Sequence, residues 1–388
     1  MATDAGLVPE ATWRDPKRYL WLLGLLVPLF PFVSWGLVAA TGLGVFWWTG
    51  PIVLYGIIPV VDLAIGKDLV NPPQSALTWL EQDRYYRWCT FMYLPLQYAG
   101  LVTGSWLFAD GGLSVVDKVG LAVTLGVVAG IAINTAHELG HKKEELERWL
   151  SRIALAQTCY GHFFIEHNRG HHVRVATPED PASARLGEGF YRFLPRTVLG
   201  SARSGWELEK VRLRRGGKRV WSLRNDVLNA WVMSLVLFGA LVAAFGPGIL
   251  PYLILQAVFG FSLLEVVNYI EHYGLLRQRT EGGRYERCAP RHSWNSDNIT
   301  SNVLLYHLQR HSDHHANPTR RYQALRHFEE APEMPTGYAG MVILAYVPPL
   351  WRRIMDRRVL SHYRGDVALA NIQPAKRSAV LARYGAAV

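Results

Sequence analysis

From residue 119 to residue 141 the chain reads VGLAVTLGVVAGIAINTAHELGH, and the reading of this stretch decides the fold. Residues 119–136 carry no charge and are long enough for a helix to cross the hydrocarbon core of a bilayer. His137 and His141 follow at once, four residues apart, so a continuing helix sets both imidazoles on one face about one turn apart. An apolar span therefore delivers a pair of neutral, metal-binding side chains to the edge of a membrane.

The same pattern of apolar runs extends along the 388 residues, half of which are apolar. Candidate spans lie at 19–42, 45–65, 89–109, 119–136, 228–245 and 249–269. Pro28, Pro31, Pro51 and Pro59 interrupt the first two and predict kinks there. Leu43–Gly44 and Gly246–Gly248 allow only tight helical hairpins. With the N-terminus inside, the outer loops are these two turns and 110–118, in which Lys118 is the only Lys or Arg. Every other basic residue falls on the opposite side, as the positive-inside rule requires. The net charge of +10 would suit a nucleic acid partner in a soluble protein. Here the membrane bias accounts for it, and no nucleic acid is expected. Cys89, Cys159 and Cys288 form no close pair, so neither a disulfide framework nor a Cys-x-x-Cys metal motif is implied. Residues 1–16 lack the basic start and cleavage site of a signal peptide.

The expected fold is an all-α integral membrane protein, one domain over 1–388. It has six transmembrane helices, and cytoplasmic parts at 142–225 and 277–388 form a histidine-rich helical cap that holds a dinuclear metal site. Within the cap the spacing predicts a loop over 176–184, a basic run over 210–219 and a helix through 303–315.

Three more histidine groups lie on the cytoplasmic side of this topology. His167, His171 and His172 stand in Glu-His-Asn-Arg-Gly-His-His, and His311, His314 and His315 in His-Ser-Asp-His-His. His272 closes the sixth span. His167/His171 and His311/His315 repeat the four-residue spacing of His137/His141, each a pair suited to one ion. Nine imidazoles exceed the four to six ligands of one metal and suit two; imidazole serves iron, copper, zinc and nickel alike. Glu138, Glu166, Glu271 and Asp313 each flank one of these histidines and could accept the outer N–H of a ligating ring, or could stand as solvated charges or pair with the many nearby Arg side chains. His162, His292, His307, His327 and His362 lack the paired spacing, apart from His307 four residues before His311.

Other chemistries fit less of the pattern. His137-Glu138-x-x-His141 is also the signature of a zinc protease with Glu138 as base, which would leave six imidazoles without a task. A soluble carboxylate-rich di-iron bundle needs two Glu-x-x-His motifs, and only Glu138–His141 has that form. A metal transporter would carry its histidines inside the bilayer along a path.

At these residues the chain resembles the bacterial membrane alkane hydroxylases, relatives of the membrane fatty-acid desaturases and hydroxylases. The matching boxes are His137–Lys142, Glu166–His172 and Leu308–His315, together with Asn268–Leu275, the element that separates alkane hydroxylases from desaturases. The likeness runs from Lys17 to about Asp356. It implies two iron ions bound by His137, His141, His167, His171, His172, His272, His311, His314 and His315. It also implies O2-dependent hydroxylation of the terminal carbon of a linear alkane to a primary alcohol in the bacterial inner membrane. Electrons would come from rubredoxin, itself reduced by an NAD(P)H-dependent reductase. Another hydrocarbon hydroxylase or a fatty-acid desaturase is the neighbouring expectation, because the same iron chemistry serves either outcome. Leu54 occupies a position where related enzymes can carry Trp, so its smaller side chain would lengthen a substrate channel, unless it is simply a packing or lipid-facing Leu. Lys210, Arg212, Arg214, Arg215, Lys218 and Arg219 could dock an acidic rubredoxin, or could face anionic lipid headgroups.

Overall fold

The computed structural model describes residues 13–110 and 112–385, and among these every regular element is a helix. Five helices are long and apolar enough to cross a membrane: α1 (Leu20–Thr41), α2 (Gly44–Ile65), α4 (Val115–Gly140), α7 (Asp226–Phe245) and α8 (Pro247–His272). The remaining expected span, 89–109, is divided at Met92 into a short helix, Arg84–Phe91, and α3 (Tyr93–Ala109). With 17 residues, α3 rises about 25 Å, near the lower limit for crossing. Outside the spans lie α5 (Glu145–Ala156), α6 (Phe190–Arg215), α9 (His311–Ala316), α10 (Tyr338–Ala345) and α11 (Pro348–His362).

The local chemistry of the turns explains the boundaries. Gly42, at φ +74°, closes α1 in the left-handed conformation that a residue with a Cβ resists. Ser114 Oγ accepts from the Asp117 amide at the start of α4, and Asn225 Oδ1 accepts from the Val227 and Leu228 amides at the start of α7. The prolines act as expected. α1 is wound as a 3-10 helix over Leu20–Leu29, which contains Pro28, and becomes α-helical over Phe30–Thr41. In α2, a π-helical stretch over Ile52–Ile57 lies between Pro51 and Pro59. Pro59 donates no N–H and crowds the carbonyl one turn back, so the helix widens there instead of stopping.

The helix expected through 303–315 is broken. One helix ends at Leu304, and α9 begins only at His311. Between them Tyr306 (φ 50°) and His307 (φ 55°) take left-handed backbone. That conformation costs roughly 1–2 kcal/mol per residue. Tertiary bonds hold it: the His307 amide donates to Asn302 O (2.7 Å), the Tyr306 hydroxyl donates to Cys89 O (3.1 Å), and His307 Nδ1 donates to Tyr322 O (2.9 Å). The break turns the third histidine group back under the end of α4.

α4 is the axis of the bundle. In its most apolar stretch 94% of residues are buried, against 28% in α1 and α2 and 22% in α7, so the latter three offer wide faces to lipid. α4 crosses α8 closely because glycines line the crossing. A Cβ on Gly130 would lie 2.9 Å from Gly260 O, and one on Gly126 would lie 2.7 Å from Phe259 Cβ. Small residues four apart that let two backbones meet are the usual device for packing helices in lipid. The charges within the spans are satisfied by specific partners. Asp62 accepts from the Ser301 amide (2.9 Å). Glu265 accepts from Tyr160 Oη (2.6 Å), Thr197 Oγ1 (2.8 Å) and Asn268 Nδ2 (3.1 Å).

Gly130→Val is expected to destabilise the protein by roughly 1–3 kcal/mol through overpacking. Gly239→Val, on α7 where no atom lies within 4 Å of the added Cβ, should leave the melting temperature in detergent nearly unchanged. Equal melting of the two variants would contradict a close α4–α8 crossing.

Candidate metal centre

Four segments bring the nine histidines together in two groups. His137, His141, His167, His172 and His314 form one, and His171, His272, His311 and His315 the other; in each, the ligand-type nitrogens lie within 4.8 Å of one another. All are buried apart from His172, which is half-buried. In the first group His137 Nε2 lies 2.9 Å from His314 Nε2, and His172 Nε2 lies 3.1 Å from both His167 Nε2 and His314 Nε2. In the second, His311 Nε2 lies 2.9 Å from His315 Nε2 and 3.1 Å from His272 Nε2, and His171 Nε2 lies 3.3 Å from His315 Nε2.

Helix geometry distributes the rings. Adjacent residues on a helix point about 100° apart, so His314 and His315 serve different groups, as do His171 and His172. His137/His141 and His311/His315 keep the expected four-residue pairing. His167/His171 does not. Residues His167–His171 form a π-helical turn, whose longer repeat aligns residues five apart, so His167 meets His172 and His171 is released to the second group. The turn is bracketed by an ion pair, Arg174 Nη2 to Glu166 Oε1 at 2.9 Å. That pair passes over Gly170, where a Cβ would lie 2.5 Å from both atoms.

Burial, and next the neighbouring imidazoles, push His141, His167, His172, His311, His314 and His315 well below the usual imidazole pKa. The rings are therefore neutral, the form that binds metals. Burial also opposes charge on His171, but Asp180 outweighs it and raises that residue. His171 Nδ1 donates to Asp180 Oδ2 at 2.9 Å, which leaves Nε2 as the lone pair facing the group. Asp180 is itself fixed by Ser183 Oγ (2.6 Å) and the Ala182 amide (3.2 Å). Lone pairs facing one another at these separations repel unless a cation lies among them, and His141 Nε2 is buried with no hydrogen-bond partner. The donor set thus fits two imidazole-loving metal ions side by side. Ring nitrogens about 2.1 Å from a metal stand roughly 3 Å apart, close to the spacing observed.

The flanking carboxylates divide. Glu138 pairs with Lys142 Nζ (2.9 Å), Glu166 with Arg174, and Asp313 with Arg320 Nη1 (2.6 Å); each neutralises a nearby cation and none of the three accepts from a ring of the two groups. Glu271 does reach one, with Oε2 3.2 Å from His311 Nε2 while Oε1 accepts from Tyr338 Oη at 2.8 Å. It approaches the inward nitrogen of His311, not an outer nitrogen of the adjacent His272. Asp180 was missed by sequence reasoning, since its only signal was a charge between Pro178 and Pro181 in a loop. The remaining five histidines lie outside both groups. His307 is bound to Tyr322 O, His327 to Asp297 and His292 to Glu286. His162 rests against Tyr160, and His362 against Trp294.

An apolar cavity opens onto the histidines from within the bundle. His137, His167, His311 and Glu271 form its polar end, and Val27, Phe30, Leu54, Ile58 and Val127 line it among the spans. Along α4, Val127 and His137 are ten residues apart, so the cavity follows that helix for about 15 Å. Tyr338, Ala339 and Val342 of α10 complete its wall.

Residues 118–345 match the fatty acid desaturase family. The alkane 1-monooxygenase of Acinetobacter baylyi is 50% identical over 377 residues, which cover 96% of this chain and 92% of that protein. Alkane 1-monooxygenase 1 of Alcanivorax borkumensis is 47% identical and the Ectopseudomonas oleovorans alkane 1-monooxygenase 46%, each over 371 residues with 96% of this chain and 92% of the relative covered. The chain belongs to the alkane 1-monooxygenase family. The family agrees with an all-helical, multi-pass membrane enzyme whose histidine groups could hold metal.

Asp180→Ala should lower affinity for divalent metal roughly 10–100-fold, the usual cost of losing the partner that orients a ligand ring. Chelator competition measures this; an unchanged affinity would limit Asp180 to shaping its own loop.

Proposed function

We propose that the chain uses O2 to hydroxylate the terminal carbon of linear alkanes at two iron ions held by the nine histidines. Rubredoxin and its NAD(P)H-dependent reductase supply the electrons. The observation that carries this reading is the junction of two adjoining all-imidazole groups with the end of a long apolar cavity. An unactivated C–H bond needs an oxidant that no side chain provides, and the iron supplies it when bound.

The protein's own contribution is position and exclusion. An alkane has no polar group to grip, so shape selects the chain end. The cavity runs along α4 and terminates at His137, His167, His311 and Glu271, which presents a terminal methyl to the centre. Apolar walls keep out water that would consume the oxidant. Tyr338 holds Glu271 at the boundary between cavity and histidines. Leu54, 8% exposed and part of the cavity wall, lies in the π-helical stretch of α2 and sets how deep a chain can reach. The histidine end faces the cytoplasm of a bacterial inner membrane, with α3 as the sixth span. The concentration of Lys and Arg on that side supports this orientation.

The decisive experiment is anaerobic loading of the lipid-reconstituted chain with iron, addition of rubredoxin and reductase, admission of O2, and analysis of products from a mixed alkane series. Iron approaching two per chain and primary alcohols are expected. Alkenes would transfer the chain to desaturation, and a single zinc would transfer it to protease chemistry. In the same assay Leu54→Trp should shift the preferred substrates to shorter alkanes; an unchanged profile would remove Leu54 from the channel.

A further inference from the structure

The connection between α6 and α7 carries exposed groups that the metal centre does not use. α6 ends at Arg215, and Gly217 (φ +63°) turns the chain. Two of the six basic residues are neutralised at home, Lys210 by Glu207 and Arg212 by Glu209. Arg214, Arg215, Lys218 and Arg219 are exposed, and none forms an ion pair among the described residues. A few residues on, Trp221 is 76% and Leu223 85% exposed. Two bare apolar side chains beside four unpaired cations are poorly suited to bulk water.

Their position says what covers them. Asp226 begins α7, an apolar helix whose most apolar stretch is only 22% buried within the protein, so its outer face meets lipid. Trp206 of α6 lies 5.0 Å from Trp221 and stacks in parallel at 6.0 Å on Trp231 of α7, measured between ring centroids. An aromatic ladder thus joins α6, the loop and the first turns of a spanning helix. Trp gathers at the headgroup level of bilayers, and Lys and Arg just beyond a span attract anionic lipid.

We propose that the 214–223 segment is a binding site for an anionic phospholipid headgroup. Trp221 and Leu223 are set into the interface, and Arg214, Arg215, Lys218 and Arg219 hold the phosphate. Lipid is favoured over an acidic redox protein because the patch is continuous with a helix that itself enters the bilayer. The proposal rests on the membrane reading alone, and stands or falls independently of iron and alkane.

The test places the full chain in nanodiscs of phosphatidylcholine, with or without phosphatidylglycerol. Phosphatidylglycerol should raise the melting temperature of the unsubstituted protein. The combined Arg214→Gln, Arg215→Gln, Lys218→Gln and Arg219→Gln variant should lose that rise while melting normally in phosphatidylcholine. Each substitution should weaken phosphatidylglycerol binding by roughly fivefold. A second measurement does not depend on that variant: brominated phosphatidylglycerol should quench tryptophan emission more than brominated phosphatidylcholine, and Trp221→Phe should abolish the difference. A lipid-dependent rise that survives in the fourfold variant overturns the proposal. So does an increased KM for rubredoxin with the rise intact, which would assign the patch to the redox partner.

Discussion

Nine buried or half-buried imidazoles directed at one another are the constraint on which the rest of this structure depends. Each ring must be stripped of water and turned so that a ring nitrogen faces other ring nitrogens. None of this is favourable without cations among them, so the surrounding scaffold must hold the rings against both repulsion and solvation. It does so by fixing the backbones that carry them. α4 is locked against α8 through Gly126, Gly130 and Gly260, which fixes the two helices that carry His137 and His272 relative to each other. The Glu166–Arg174 pair brackets the π-helical turn that separates His167 from His171. The left-handed turn at Tyr306 and His307 folds α9 back beneath them.

The same arrangement links the two histidine groups to the apolar cavity. α4 and α8 end in ligand-type histidines and, a few turns earlier, supply the apolar wall of the cavity. Cavity wall and histidines are thus positioned by the same two helices, and a shift in their crossing would move both together. The tail closes the opposite side, since α10 contributes Tyr338 to the junction and Ala339 and Val342 to the wall. Glu271, fixed by Tyr338, is the carboxylate that stands at that junction.

Much of this was legible in the sequence because the relevant signals are local. Runs of apolar residues bounded by Gly42, Asn225 and Gly246 mark spans within a few residues, and spacing, with the place of His272 at a span end, singled out the same nine histidines that the fold gathers. What stayed hidden is set by contacts between distant segments. No local propensity announces a π-helical turn at His167–His171, so the four-residue rule paired the wrong rings. The break before α9 depends on bonds to Asn302, Cys89 and Tyr322, and a helical pattern through 303–315 cannot foresee it. Asp180 becomes a partner of His171 only when its loop is buried. For the flanking Glu138, Glu166 and Asp313 the sequence left a ring partner and an ion pair equally open, and Lys142, Arg174 and Arg320 reach them in the fold.

Iron-edge X-ray absorption on the reconstituted protein tests the central claim most directly. Two adjoining all-histidine groups predict a first shell dominated by nitrogen, outer-shell scattering characteristic of imidazole, no sulfur, and close to two irons per chain. A shell dominated by carboxylate oxygen, or a protein that retains one zinc and no iron, would contradict it.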